Sequence, residues 1–515
     1  MSESQLVVAI DVGTSGTRTA LFDTNTGQLV TESYQEYSSI YPRPVWVEQN
    51  ANDWWLTTCS TTKTALKHIG KQSKNLVGLS ITNQRETIVP VDDKGTPLAN
   101  AIVWQDRRTT PQCKTILKNV GADRVYKETG LTVDPYFSAP KILWFKEKKP
   151  QVFQHAHKFL LVHDFILYQL TDNFATDYSN ASRTMLFGVN SMEWSDLMCE
   201  SLEIPKEKLP RAIPPGTRIG EVSSRAAKAT GLPSGLPVAV GGGDQQCGAV
   251  GVGVVIPGRI KATIGTGTFL LAHQETPQFD PQQRLLCSCH AVPGKWVIEA
   301  SMFSSGIVYR WFRDQFGDEE KQLATFLQTD AYEFMNKQAS QSPPGSRGII
   351  LLPHFVGAGA PYWNPDARGV IIGLALGHSR ADVIRAIMEG TALEIRRNLE
   401  IMQELGIDIR ELRITGGATR SAVWNQIQAD IMQLKVLRSH IDEATALGAA
   451  ILAAVGSGIY RDVNEASKKM VAVSEEYLPS EEWKSLYDQL YSVQTKAYQA
   501  LEKAKVFSHL RTLDD

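Results

Sequence analysis

The chain has 515 residues, 43% of them apolar and 21% charged, with a formal net charge of −2. That length is too great for one core and predicts two domains, taken as residues 1–252 and 253–515. The near-neutral charge gives no polybasic footprint for nucleic acid or an anionic membrane, and no uninterrupted apolar run reaches the ~18 residues that would span a bilayer.

The opening segment, MSESQLVVAI, has no basic region or cleavage signal and does not read as a secretory signal. Six cysteines are scattered through the chain, and the close pair Cys287 and Cys289 has one residue between them, which is not a zinc-binding spacing. The expectation is a reduced, cytoplasmic protein without a structural metal.

In chain order, LVVAIDVGTSGTRTALFDTNTG reads as a buried strand, a Gly/Thr/Ser turn and a returning strand. NANDWWLTTCSTTKTALKHIG reads as a helix with Asn52 as cap and Gly70 as stop. NLVGLSITNQRETIVPVDDKG is again a buried strand ending in polar residues. Alternation of this kind predicts a largely parallel sheet flanked by helices, an α/β fold. Residues 205–235 are rich in Pro and Gly and read as a turn-laden crossing. Beyond it, PVAVGGGD ends a strand in three glycines and a carboxylate. RIKATIGTGTFLLAHQ repeats the strand, Gly/Thr turn and strand about 250 residues after the first, which points to two similar domains. ELRITGGATRSAVWNQIQADIM is a strand, a Gly-Gly turn and a helix, and a periodic helix near the C-terminus reads as a solvated cover.

Turns such as DVGTSGTR and IGTGT can offer backbone N–H groups and hydroxyls to phosphate oxygens. Asp11 could hold a water on Mg²⁺, and Arg18 adds a fixed charge nearby. Either turn taken alone reads more readily as an ordinary glycine hairpin. Neither a P-loop nor a GxGxxG opening a helix is present, which excludes the two commonest nucleotide motifs. Paired glycines before the helix at TGGATRS leave room for a flat or anionic ligand part, and the set together suits a bound nucleotide. On the N-terminal side Arg85 and Glu86 can donate to and accept from vicinal hydroxyls. Tyr136 adds a hydroxyl, and Trp104 and Phe269 offer apolar walls. That mixture suits a small polyol, although a charge pair such as Arg85–Glu86 or Arg107–Arg108 is also readable as a solvated pair.

With these residues in place, the chain resembles the FGGY carbohydrate kinases, and the glycerol kinases among them most of all, over roughly residues 6 to 460. The resemblance rests on YFSAPKILWFKE and GVIIGLALGHSRADVIRAIME, and on YPRPVWVEQN, NQRET, IVWQDRRT, TGLTVDPYFSAPK, TDYSNASRTMLF, GDQQ and PYWNPDARG. It implies two actin-like (ribonuclease H-like) domains with mixed sheets and a cleft that closes on MgATP and a sugar or polyol. By carry-over Asp244 is the base that takes the acceptor's proton, and Asp11 lies with Asp244 near Mg²⁺. Arg85, Glu86, Trp104, Tyr136, Asp244, Gln245 and Phe269 would contact the acceptor. Thr14, Ser15, Arg18, Thr266 and Gly267 would meet the phosphates, with Gly306, Gly417 and Ser421 by the nucleotide. Asp106 and Asp134 fall to the frame of the acceptor pocket.

The first turn, VGGGD, GAVGVG and ITGGATRSAVWNQIQAD are spelled more as in xylulose kinases, whereas NQRET and DQQ are glycerol-kinase-like. Glycerol is therefore the favoured acceptor, with erythritol, dihydroxyacetone, xylulose and ribulose open. Before Asp244 the chain reads TGLPSGLPVAV, without the Gly-Lys-Gly-Gly-Thr-Arg loop that binds fructose 1,6-bisphosphate in regulated bacterial enzymes. A homodimer or homotetramer is compatible with the surface helices. The competing class is a non-catalytic actin-like ATP sensor or scaffold, because fold alone does not fix function.

Overall fold

The structure, a computed structural model, describes residues 5–513, so the first four residues of the N-terminal segment read above fall outside it. The chain divides into two compact units. The first holds the chain up to Ile256, then His273–Ile298 and Glu443–Ala472; the second holds Pro257–Ala272, Glu299–Asp442 and the chain from Val473. The first break lies near the expected boundary at 252, but two later segments return to the first unit, which a single boundary does not describe.

Six strands make the main sheet of the first unit: β1 Leu6–Val12, β2 Gly16–Asp23, β3 Leu29–Glu36, β4 Leu76–Asn83, β5 Arg218–Glu221 and β6 Pro237–Gly243. They lie in the order β5-β6-β4-β1-β2-β3. β1 is buried almost throughout, which is why it reads as a continuous apolar run rather than an alternating one. It pairs antiparallel with β2 and parallel with β4, and β4 pairs parallel with β6.

The expected helix runs Ala51–Ile69 and stops at Gly70, whose φ of 53° favours glycine. Its cap is Asn50 rather than Asn52: the Asn50 side chain accepts the Asn52 N–H, so the asparagine inside the first turn is the capped residue. This helix packs on β2 and β3 partly through hydroxyls, Thr17 to Thr57 at 2.7 Å and Thr19 to Thr61 at 2.8 Å. The stretch 205–235 is not only turns, for it contains β5 and a short helix, Ser224–Thr230.

Two helices cross tightly in this unit, Asp244–Gly251 and Ala444–Gly456. A Cβ on Gly251 would stand 1.8 Å from the Ala444 carbonyl oxygen, and one on Gly448 would stand 1.8 Å from that of Cys247. Only glycine permits backbones to meet so closely. Helix Ala444–Gly456 also packs on β1, β4 and β6.

The second unit carries β7 Gly258–Ile264, β8 Thr268–Gln274, β9 Trp296–Met302, β10 Ile409–Thr415, β11 Lys435–Ser439 and β12 Val473–Tyr477, in the order β9-β8-β7-β10-β11-β12. β7 pairs antiparallel with β8 and parallel with β10; β10 pairs parallel with β11, and β11 antiparallel with β12. Beyond β9 this sheet has a seventh strand, Leu286–Cys289; the other six repeat the strand order of the first sheet, as the two strand–turn–strand segments predicted. The long helix Arg380–Glu404 opens with a capping box between Ser379 and Asp382. The periodic helix near the C-terminus is Lys484–Lys503, which buries Tyr487, Leu490, Gln494 and Tyr498 on one face. All six cysteines are free thiols, and no helix among the described residues is long and apolar enough to cross a membrane.

Candidate active site

In the first unit the candidate residues gather at the ends of β1, β4 and β6. β6 ends in Gly241, Gly242 and Gly243, and Asp244 opens the helix that follows. The glycines answer to sterics. A Cβ at Gly241 would stand 1.6 Å from the Ile81 carbonyl of β4, and one at Gly243 would stand 2.6 Å from Arg85 Cδ. Bare backbone therefore lets Arg85 lie under the residue that carries the carboxylate. The Gly241 N–H donates to His163 Nε2 at 3.1 Å, and the Gly243 N–H donates to Ser179 Oγ at 3.0 Å.

Arg85 follows β4 and is buried. Its Nε lies 3.4 Å from Asp244 Oδ1 and 3.8 Å from Glu86 Oε1, and its Nη1 donates to Gln246 Oε1 at 3.1 Å. The Asp244 side chain keeps 32% of its surface, so it remains reachable, and its Oδ1 also accepts the Gln245 N–H at 2.7 Å. Glu86 is buried with φ of 63°, an uncommon value for a glutamate and one held here by its contacts. Arg183 Nε donates to Glu86 Oε1 at 2.6 Å, and Ser138 Oγ donates to the Glu86 carbonyl at 3.0 Å.

Trp104 and Tyr136 meet edge to face, with ring centroids 5.6 Å apart. Trp104 Nε1 donates to Thr14 Oγ1 at 2.9 Å, so the expected acceptor wall and the first Gly/Thr turn touch directly. That turn is braced throughout. Gln49 Nε2 donates to the Thr14 carbonyl at 2.8 Å, Tyr37 OH donates to the Gly13 carbonyl, and the Tyr37 N–H donates to the Ser15 carbonyl at 3.1 Å. Arg18 is in ion-pair contact with Glu443 and lies 3.6 Å from Glu32, so its charge is shared with two carboxylates. Asp11 stands opposite Arg18 in the β1–β2 register. Burial and the neighbouring Asp244 carboxylate push the Asp11 carboxyl up to about 7, against the pull of Arg18.

Asp11 with Asp244 is an oxygen-only pair of the kind that suits Mg²⁺, which takes one or two carboxylates and completes its shell with water and phosphate oxygens. Among the described residues no three His, Cys, Asp or Glu converge on a metal cage. Asp106 and Asp134 are each taken up by an arginine and a backbone N–H. Asp106 is buried, holds Arg108 through both oxygens at 2.7 to 3.0 Å and accepts the Val47 N–H at 2.6 Å. Asp134 pairs with Arg107 at 2.7 Å and accepts the Tyr136 N–H at 2.8 Å.

In the second unit Thr266 and Gly267 form the turn between β7 and β8, and Phe269 lies half-buried on β8 opposite Thr263. Gly306 closes on that turn through its N–H to the Gly265 carbonyl at 2.9 Å, while the Ser305 N–H reaches the Thr266 carbonyl at 3.0 Å. A Cβ on Gly306 would stand 2.4 Å from the Gly265 carbonyl, and one on Gly267 would stand 2.3 Å from the Met302 carbonyl. Gly417 faces open space, and Ser421 caps helix Ala422–Met432 by accepting the Trp424 N–H. The structure thus joins Thr266, Gly267 and Gly306 in one backbone knot, with Gly417 and Ser421 at the end of β10.

Sequence reading passed over Arg183, Gln246 and Gln49. Arg183 lies within TDYSNASRTMLF and Gln246 directly after the predicted Asp244–Gln245 pair, so their proximity to recognised motifs was the signal that could have found them.

The N-terminal domain model of the FGGY family of carbohydrate kinases matches residues 6–251, and the C-terminal domain model matches residues 260–457. A glycerol kinase from Albidiferax ferrireducens is 37% identical over 476 residues, covering 90% of this chain and 92% of that protein. Among solved structures, a xylulose kinase from Rhodospirillum rubrum superposes with a TM-score of 0.89 at 26% identity, over 98% of this chain and 100% of the other. A glycerol kinase from Plasmodium falciparum, solved with ADP, gives a TM-score of 0.86 at 25% identity, over 96% of this chain and 98% of the other.

Proposed function

The chain belongs to the FGGY family of carbohydrate kinases, and on that premise we propose that it phosphorylates glycerol to sn-glycerol 3-phosphate by direct in-line transfer from ATP, with Asp244 as general base. It is an ATP-dependent phosphotransferase acting on a small polyol or sugar. The observation that carries the finer reading is the cluster in which buried Arg85 reaches both Asp244 and Glu86 beside the Trp104–Tyr136 pair. Directed polar groups against aromatic faces are what a three-carbon polyol requires. The relatives named glycerol kinase support the same acceptor.

Asp244 would take the proton from the acceptor hydroxyl as its oxygen attacks the γ-phosphorus, and the bond to the ADP oxygen breaks on the opposite side. Arg85 aims the carboxylate. Glu86 (fixed by Arg183), Tyr136 and Gln245 would bind the remaining hydroxyls, while Trp104 and Phe269 would limit water around the acceptor's carbons. Thr14, Ser15, Arg18, Thr266, Gly267 and Gly306 would position the phosphates, and Gly417 and Ser421 would border the adenosine part. Mg²⁺ held at Asp11 and Asp244 would neutralise phosphate charge when bound. The rest of the rate enhancement comes from positioning, since no phosphoenzyme forms.

The likeness to a solved xylulose kinase favours one second reading, a pentulose acceptor. Steady-state ADP release with MgATP against glycerol, dihydroxyacetone, erythritol, D-xylulose and D-ribulose separates the two. Preference for glycerol supports the proposal, and preference for a pentulose replaces it. In the same assay Asp244→Asn should lower turnover by orders of magnitude with ATP affinity nearly intact; undiminished turnover sinks the base assignment.

A further inference from the structure

We propose that Lys141 is a positioning residue for the acceptor site, its buried ammonium gripping the carbonyls of Tyr136 and Phe137 so that the Tyr136 ring is fixed against Trp104. The inference rests on the acceptor-site reading above and assigns a role to a side chain that touches no substrate.

Lys141 lies in the first turn of helix Ser138–Lys148 and has no exposed surface. A lysine so placed is unfavourable unless its charge is compensated, and the usual compensation is a carboxylate in contact. Here Nζ instead donates to the Tyr136 carbonyl at 2.5 Å and to the Phe137 carbonyl at 2.9 Å. Burial draws its ammonium down to about 7; Glu86, Asp106 and Asp134 favour the charge from farther off, and Arg107 opposes it. The neutral amine still carries two N–H donors, so the grip survives loss of the proton.

A purely structural lysine would serve any helix start equally well. These carbonyls, however, belong to the loop that presents an acceptor contact. The ring of Tyr136 meets Trp104, and Trp104 bonds Thr14 in the first Gly/Thr turn. The Arg183 guanidinium, which orients Glu86, lies 5.6 Å from the Tyr136 ring and 5.1 Å from that of Phe137. The loop is thus held by its backbone from Lys141 and by its rings from Trp104 and Arg183.

The test is Lys141→Met, close in shape and without a donor, assayed with whichever acceptor the unaltered chain turns over best. Losing two bonds from a charged donor should raise the acceptor KM about 10-fold or more and leave the ATP KM within about twofold. Amide exchange should quicken over residues 134–141 and not in β1 or β4, and Lys141→Arg should restore part of the loss. An unchanged acceptor KM with unchanged exchange overturns the proposal. So does an equal rise in both KM values with a general fall in Tm, the mark of a merely structural role. If Lys141→Met does not fold, Lys141→Gln is read by the same parameters. Absence of turnover on every acceptor by the unaltered chain would instead sink the substrate reading, and exchange over 134–141 would still decide the role of Lys141.

Discussion

The two units share one sheet plan, yet their Gly/Thr turns are braced mainly by different groups. The turn of the first unit is held by side chains from far along the chain: Tyr37, Gln49, Gln84 and Trp104 all bond to Gly13 or Thr14. In the second, backbone N–H groups of Ser305, Gly306 and Ile307 bond directly to Gly265 and Thr266. A turn held by side chains can be tuned by substitution and coupled to a neighbouring pocket, as Trp104 couples Thr14 to Tyr136. A turn held by bare backbone tolerates no added atom. On the function proposed above, the first arrangement would suit a part of the site that varies with the acceptor, and the second a ligand part common to a whole family.

The contrast is most sharply broken at Gly306. Gly306→Ala sets a Cβ against the Gly265 carbonyl, where no flexible side chain can yield, and overpacking of this kind costs about 1–3 kcal/mol. Thermal melts should show a clear fall in Tm and initial-rate kinetics a raised ATP KM with the acceptor KM little changed; unaltered values would mean that the knot is slack. Trp104→Phe is the counterpart in the first unit. It keeps a smaller aromatic wall and removes the bond to Thr14, a neutral hydrogen bond of about 0.5–1.5 kcal/mol. A few-fold rise in both KM values is expected, because one residue serves both turn and pocket, and a change in neither would uncouple them.

A second probe of the first unit is the titration of Asp11. In the folded, unliganded protein its carboxyl holds the proton up to about 7, whereas in the unfolded chain it releases it near 3.8. Between those values the native state binds more protons, so this group's contribution to stability falls as pH rises and its penalty is complete above about 7. Asp11→Asn, neutral throughout, should melt above the parent at pH 8.5 and gain progressively less as the pH is lowered to 5. A constant difference would show that Asp11 does not titrate in this window.

Much of the fold was legible because its signals are local. β1 is an apolar run ending at a glycine turn, Gly70 stops its helix, and the same strand–turn–strand pattern recurs at Gly265–Gly267. The position of Asp244, a carboxylate set after three glycines at the end of a strand, was legible for the same reason. What stayed hidden depends on distant pairing. Arg183 meets Glu86 across 97 residues and Gln246 meets Arg85 across 161, and no periodicity records such a contact. The cap at Asn50 was missed because two asparagines stand two apart, and only the backbone geometry shows which one accepts. The return of Glu443–Ala472 to the first unit was invisible for a related reason, since an Ala-rich helix carries no mark of the sheet it will cover.

That returning helix sets an order of events at the ribosome. Helix Asp244–Gly251, with Asp244 at its head, is seated through Gly251 and Gly448 against Ala444–Gly456, which is translated only after most of the second unit. The Asp244 helix therefore lacks this packing partner until a segment nearly two hundred residues later has been made. A chain that stops before that helix would leave this flank of the Asp244 helix uncovered.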